Sequence, residues 1–211
     1  KACLNTLPVP ERTRTEELLK RPAKKEGIKT PSAVQYVARA GHIKKYHGTY
    51  RILKVILSYD YLWINLRVKG GAYGCMSGFK RNGESFLVSY RDPHLKRTLE
   101  VYQGVPDYIR AFEADEREMT KYIIGTISDM DTPMNPSAKG ARSMTAYLQG
   151  LDFADIQKER DQVIGATDED IRGLKDLIAS VLEEKNLCVI GNEDNLKSQS
   201  DMFMQLKNLY E

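Results

Sequence analysis

A long apolar helix that runs into a pair of glycines is the feature that most constrains how this chain can fold. Between residues 50 and 67, hydrophobic side chains cover so wide an arc that the predicted helix must pack on more than one side. Gly70 and Gly71 follow directly, and such a pair supplies the positive-φ freedom with which a helix ends and the chain reverses. We therefore predict a core helix, a sharp turn and a new strand that begins at Tyr73.

A β-hairpin is predicted immediately after this turn. Residues 73–80 and 85–91 are rich in strand-forming side chains, and they flank a short segment that contains Asn82-Gly83. Asn-Gly between two such runs is the strongest short-range signal for a hairpin. An earlier strand is expected over residues 33–39, ending at Gly41.

The rest of the chain is predicted to form several helices and one short strand. Asp92-Pro93 predicts a helix start, and the further helices are expected at 107–114, 116–130, 137–148, 152–164, 168–185 and 196–210, with a buried strand at 187–191. Strands therefore occur early and late, with helices between them. This order predicts an α+β fold, in which an antiparallel or mixed sheet carries its helices on one face.

The first residues differ in character from the rest. Four prolines interrupt residues 1–32 and several lysines and arginines make this segment basic, so we expect a helix end and a solvated linker there. Residues 33–211 are expected to form a single domain. Because the sequence starts abruptly and without Met, we expect a fragment of a longer protein.

Composition excludes several classes of protein. Hydrophobic residues make up 41% and charged residues 29% of the chain, which is ordinary for a folded globular protein and excludes disorder by composition. A net charge of +3 is too small to indicate a nucleic-acid binder, and no apolar run is long enough to span a membrane. Three cysteines are most simply reduced, buried thiols.

The histidines do not form a metal motif. His42 and His47 are five residues apart, no Glu lies between them, and Lys44 and Lys45 would repel a cation. Zinc peptidase motifs need two histidines on one helical face with an adjacent Glu. The glycine-rich turn is not a phosphate loop either, because it leaves a helix and enters a strand. We expect no metal ligands in this chain.

Arg67 and Tyr73 flank the glycine pair, and from spacing alone two interpretations stay open. Arg67 can be a cation that stabilises the C-terminal end of the helix, with Tyr73 an ordinary strand aromatic. Alternatively the two side chains form a working pair at a flexible joint, where proteins often expose functional groups.

Several segments in order along the chain strongly resemble the insulinase/pitrilysin zinc metallopeptidases, with the presequence-protease subfamily as the closest branch. The segments are WINLRVKGGAYG at 63–74, SYRDP at 89–93, TLEVY at 98–102, AVQYV at 33–37 and PSAKG at 136–140. The resemblance implies that this chain is most of the fourth of four related α/β domains, lacking its opening strand. It also implies that the zinc ligands lie in the first domain, outside this chain.

The resemblance assigns a role to the central pair. Tyr73 is expected to donate its hydroxyl to the scissile carbonyl or developing oxyanion, and Arg67 to hold a neighbouring carbonyl of the substrate. Gly70 and Gly71 are expected to shape the substrate-binding turn between them. The expected partners are a peptide substrate and the N-terminal half of the same enzyme, without nucleic acid or membrane.

The function implied is that of the C-terminal domain of a zinc-dependent oligopeptidase that encloses unstructured peptides, inactive when isolated. A non-catalytic scaffold or processing subunit of the same family is the alternative, and a nucleic-acid module prompted by the basic N-terminal segment is a weaker third. The expected location is cytoplasmic, or the organellar matrix in a eukaryote.

Overall fold

The sheet of this protein has six strands in the order β3-β4-β2-β5-β1-β6. A computed structural model describes residues 24–209. The strands are β1 Lys25–Thr30, β2 Gln35–His42, β3 Gly74–Phe79, β4 Glu84–Asp92, β5 Asn186–Asn192 and β6 Gln205–Asn208. β1 runs parallel to both β5 and β6, whereas β2, β3, β4 and β5 pair antiparallel where they meet. The sheet is thus mixed, as predicted.

The helices follow the predicted order. They are α1 Thr49–Ile56, α2 Lys96–Gln103, α3 Val105–Arg110, α4 Glu116–Met130, α5 Pro136–Leu148, α6 Phe153–Ile164, α7 Asp168–Arg172, α8 Lys175–Glu183 and α9 Glu193–Ser198, with a 3₁₀ turn at Ser200–Met202. α1 continues as π-helix over Leu57–Tyr61 and Trp63–Val68, so the predicted core helix is one long element.

The hydrophobic core lies between one face of the sheet and the helices. Along β5, Leu187 and Val189 are buried and contribute to the same cluster as Ile52 and Leu62 of the long helix. Tyr102 of α2 is fully buried, and its hydroxyl donates a hydrogen bond to the carbonyl oxygen of Val37 in β2 at 3.1 Å. Helices on one face of a mixed sheet confirm the predicted fold class.

The opposite face of the sheet is much more open. Tyr36 of β2 and Met76 of β3 are 43% and 45% exposed, although each lies within a strand. Within residues 24–209, no helix is both long enough and apolar enough to cross a bilayer.

Two expectations about the ends of the chain need correction. The predicted closing helix over 196–210 is wrong, because the chain forms only short α9 before the 3₁₀ turn and then adds β6 to the edge of the sheet. The predicted linker extends too far, since Lys25–Thr30 is a strand paired on both sides. Residues 1–23, where the helix end was expected, lie outside the described residues.

The expected helix over 168–185 is also divided. α7 ends at Arg172, and α8 begins at Lys175. Thr167 caps α7, because its hydroxyl accepts a hydrogen bond from the backbone N–H of Asp170.

Candidate functional site

The long helix ends in widened turns that place Arg67 above Trp63. Lys69 N donates to Ile64 O at 3.0 Å, which is the bond between residues five apart that defines a π-turn. The guanidinium carbon of Arg67 then lies 4.3 Å from the centroid of the Trp63 ring. Such stacking is favourable because the ring face carries negative electrostatic potential.

Only one of the two glycines adopts the left-handed conformation. Gly71 has φ +77°, and its N–H donates to Arg67 O at 2.9 Å, which is a glycine C-cap of the helix. Gly70 does not have positive φ, so the expectation of positive-φ freedom at both glycines is wrong. Gly70 is needed for space instead, since a Cβ there would lie 2.5 Å from Leu66 O.

The turn brings Arg67 and Tyr73 together. One terminal nitrogen of Arg67 donates to the backbone carbonyl oxygen of Tyr73, and the guanidinium carbon lies 5.5 Å from the centroid of the Tyr73 ring. Arg67 is half-buried, and within the described residues no carboxylate forms an ion pair with it. Among residues 24–209 its charge is stabilised by two ring faces and one carbonyl oxygen.

Tyr73 points outward from the end of the sheet. Its side chain is 57% exposed, and its ring packs on Tyr90 with centroids 5.6 Å apart. In the part of the chain that the structure describes, the Tyr73 hydroxyl makes no hydrogen bond. The aromatic body is fixed while the donor at its tip faces solvent.

Arg91 is a further member of this site that the sequence analysis missed. The register between β2 and β4 shifts between Gln35 and Val37, and Arg91, in the bulged part of β4, has φ 47°. A non-glycine residue with positive φ is uncommon, and bulges often redirect side chains beside functional sites. The guanidinium carbon of Arg91 lies 5.5 Å from the centroid of the Tyr73 ring. No local sequence signal predicts the bulge.

Buried Asp92 anchors the end of β4 next to Arg91. Its two carboxylate oxygens accept from His94 N at 2.9 Å and from the Thr98 hydroxyl at 2.6 Å. The prediction that Asp92 caps the following helix is wrong, because α2 begins only at Lys96. Asp92 instead stabilises the loop that leads into it.

These residues form what we call the corner cluster: Trp63, Arg67, Tyr73, Tyr90 and Arg91. One guanidinium of this cluster, that of Arg67, influences the pKa of Cys75, which lies two residues after Tyr73. Burial raises the pKa of the Cys75 thiol to about 11, while Arg67 lowers it and Asp92 raises it. Burial is thus the dominant influence on this thiol.

The described residues do not offer a metal site. No group of three His, Cys, Asp or Glu side chains among residues 24–209 is placed to hold a metal ion. The ring of His42, at the end of β2, lies 3.1 Å from Asn82 O in the hairpin loop, and that of His47 lies 2.9 Å from the Thr49 hydroxyl at the start of α1. The described part of the chain therefore does not fit zinc.

The corner cluster can bind and orient, but these side chains alone do not activate water. It presents a hydroxyl donor and two guanidiniums toward solvent, which suits carbonyl oxygens and developing negative charge. Within the cluster no carboxylate or imidazole is present to act as a base.

The chain is similar to known proteins over most of its length. Residues 25–193 match the family model described as the PreP C-terminal domain. The chain is 46% identical over 190 residues to Protein HypA of Clostridium perfringens, covering 88% of this chain and 20% of that protein. It is 34% identical over 173 residues to Presequence protease 1, chloroplastic/mitochondrial, of Arabidopsis thaliana, covering 80% and 16%.

Solved structures share the fold at low sequence identity. The crystal structure of pitrilysin superposes with a TM-score of 0.58 at 14% identity, covering 78% of this chain and 19% of that one. A peptidase M16 inactive domain from Pseudomonas fluorescens also gives 0.58, at 16% identity, covering 79% and 42%. The chain spans a fifth or less of the length of the curated relatives described above.

Proposed function

Because this chain belongs to the family of PreP C-terminal domains, as the match over residues 25–193 shows, we propose that it contacts the peptide substrate of a larger peptidase through Tyr73 and Arg67. The intact enzyme would enclose unstructured peptides between this domain and its N-terminal half. The resemblance to presequence proteases is confirmed by this family match and by the identity to the Arabidopsis enzyme.

The observation that carries the proposal is the outward phenol of Tyr73, with two guanidinium carbons each 5.5 Å from the centroid of its ring. Its ring is held by Tyr90, and its hydroxyl has no partner within the described residues. A donor that is already positioned needs little reorganisation when negative charge develops on a substrate oxygen. We assign Tyr73 to the carbonyl or oxyanion of the scissile peptide bond.

Arg67 has a complementary role. A guanidinium carries five N–H donors, and within the described chain Arg67 gives one hydrogen bond, to the carbonyl oxygen of Tyr73. The other donors can hold a neighbouring carbonyl oxygen of an extended peptide. Gly71 supports this role by ending the helix, and Gly70 by allowing close packing of the turn.

Zinc would be held elsewhere in the intact enzyme, since the described residues contain no group of ligands for it. We therefore expect the isolated chain to hydrolyse no peptide. Its contribution is substrate contact, support of developing charge and a wall of the chamber.

The test is turnover of an unstructured fluorogenic peptide by the intact enzyme. Tyr73→Phe should lower kcat by about 10²–10³-fold, the loss typical of one removed oxyanion donor, and Arg67→Ala should lower kcat/KM. Zinc content should not change in either variant. Tyr59→Phe is the matched control, because Tyr59 is also exposed, at 67%, and lies outside the corner cluster. Wild-type kinetics for Tyr73→Phe and Arg67→Ala would refute the proposal.

A non-catalytic subunit that binds peptides is the second candidate. It is favoured by the similarity in fold to a domain described as a peptidase M16 inactive domain. Zinc-dependent hydrolysis by the intact protein would exclude it, whereas peptide binding without hydrolysis would support it.

For the location we propose the cytoplasm, or an organellar matrix in a eukaryote, since the Arabidopsis relative is named as chloroplastic/mitochondrial. Fractionation of cells with an antibody against this domain tests that assignment.

A further inference from the structure

A cavity of about 610 Å³ runs along the free edge of β3, outside the corner cluster. One wall is formed by β3 and the hairpin loop, from Met76 to Asn82, and the other by Tyr50, Arg51 and Lys54 of α1. The lining therefore combines strand backbone, aromatic rings and cations.

The strand beside this cavity has an unpaired edge. β3 is the last strand on its side of the described sheet and pairs only with β4. In an antiparallel pair, every second residue directs its N–H and C=O away from the neighbouring strand. An extended peptide can add to such an edge as a further strand.

Arg51 uses only part of its hydrogen-bonding capacity within the described residues, although it forms an ion pair with Glu159. Its terminal nitrogen lies 3.6 Å from a Glu159 oxygen, too far for a hydrogen bond, and its buried Nε has no acceptor within the described residues. Both Glu159 oxygens already accept from Arg81. A guanidinium in this state has donors available for a further anion.

Lys54 adds a second cation to the same wall. It lies on the same helix three residues after Arg51, is exposed, and forms no ion pair with any described carboxylate. By contrast Lys80, at the hairpin loop, is paired with Glu84 at 2.8 Å. Among the described residues that line the cavity, Lys54 is thus a cation without an ion pair, while Arg51 shares the single carboxylate of Glu159 with Arg81.

We propose that this cavity binds a carboxylate of an extended peptide whose backbone adds to the edge of β3. The inference rests on the proposed function, since Tyr73 directly precedes β3 and the same peptide can contact both. Met76–Phe79 lie three to six residues beyond Tyr73, or about 10–20 Å along a strand. The carboxylate can be the C-terminus of the peptide or an acidic side chain.

The test measures peptide binding by the intact protein in the presence of a metal chelator, so that nothing is cut. Labelled unstructured peptides are compared by fluorescence anisotropy: one with an Asp, its Asn counterpart, and each with a free or amidated C-terminus. Lys54→Gln and Arg51→Gln should each weaken binding of the carboxylate peptides about tenfold and leave the amidated Asn peptide unchanged.

Arg117→Gln is the matched control, because Arg117 is an exposed cation at the start of α4 and does not line the cavity. Lys54 is exposed and unpaired, so its variant cannot act through loss of folding. Equal affinities of all four peptides, or equal losses for charged and neutral peptides, would overturn the proposal. A preference for the Asp peptide identifies a side-chain carboxylate, and a preference for the free acid identifies the terminus.

Methylation of alternate backbone nitrogens tests the strand addition. Peptides methylated at the residues that face β3 should bind several-fold more weakly, and the neighbouring positions should tolerate the change. Tolerance at every position would overturn strand addition. None of these readouts depends on turnover, so the inference and the catalytic role of Tyr73 can fail separately.

Discussion

Two arginine–tyrosine clusters in this domain have similar geometry and different surroundings. The guanidinium carbon of Arg81 lies 5.7 Å from the Tyr46 ring, and that of Arg67 lies 5.5 Å from the Tyr73 ring. Arg81 donates two hydrogen bonds to Glu159, a buried carboxylate on α6, and these bonds raise the pKa of Arg81. Arg67 has no such anion among the described residues.

The difference shows how a structural arginine can be distinguished from one available to a ligand. Glu159 fixes Arg81 and ties the hairpin loop to α6, so that the charge of Arg81 is neutralised inside the protein. We call this pair the loop clamp. In the corner cluster no such anion lies among the described residues, and Arg67 retains the hydrogen-bonding capacity that the proposed substrate contact requires. The contrast depends on α6, which is distant from both arginines in sequence.

The largest expected effect is a difference between the two clusters in their contribution to the free energy of unfolding. Glu159→Gln should lower the free energy of unfolding by about 2–3 kcal/mol, because charge-assisted hydrogen bonds are lost beside two guanidiniums. Arg67→Gln should lower it by only about 0.5–1 kcal/mol, because the half-buried guanidinium loses its stacking on Trp63 but no ion pair. Urea unfolding followed by circular dichroism measures both. Equal losses would show that the corner cluster is structural too.

A smaller effect extends the comparison to hydroxyl groups. Tyr102→Phe should cost about 1 kcal/mol of unfolding free energy, because it removes the buried hydrogen bond to Val37 O. Tyr73→Phe should leave stability unchanged, since its hydroxyl faces solvent. The same urea titrations report both values, and a destabilised Tyr73→Phe variant would contradict a free hydroxyl.

The smallest expected effect reports the charge of the corner cluster itself. A thiol reacts as its thiolate, so the raised pKa of Cys75, about 11, should make alkylation slow at pH 8 and faster up to about pH 11. Arg67 lowers this pKa, so Arg67→Gln should raise it further and slow alkylation by roughly twofold to fivefold. Mass spectrometry of peptides after iodoacetamide treatment follows the reaction.

Arg81→Gln and Cys188 are the controls for this measurement. Arg81 is not among the groups that shift the pKa of Cys75, and burial followed by Glu26 raises the pKa of Cys188. An equal alkylation rate of Cys75 in the wild type and in Arg67→Gln would show that the charge of Arg67 does not influence this thiol.

Local signals predicted much of this fold. α4 occupies the predicted range, Glu116–Met130, since Asp115 and Glu118 form a reciprocal cap at its start. The hairpin forms around Asn82-Gly83, as predicted, and Gly83 in its turn has φ +90°. These elements are fixed by residues a few positions apart, which a sequence displays directly.

Long-range contacts account for what could not be predicted. β6 is a short edge strand whose partner β1 lies near the other end of the chain, and Lys207 of β6 pairs with Glu26 of β1. Residues 196–210 were predicted to be a helix because the pairing of β6 with the distant β1 is not visible in the local sequence. In the corner cluster, Arg67 and Tyr73 were found from the glycines and the resemblance, whereas Arg91 depends on a register shift between β2 and β4.

The π-helical turns before Gly70 make the corner cluster sensitive to the rotational phase of the helix. Each residue of an ordinary α-helix advances the side-chain direction by about 100°, and widened turns accommodate extra residues without moving the ends of the helix. Removing one residue from this stretch would rotate Trp63 and Arg67 relative to each other or to Tyr73 while leaving every other residue type intact. The length of this element therefore fixes the geometry of the corner cluster as much as the identity of its residues does.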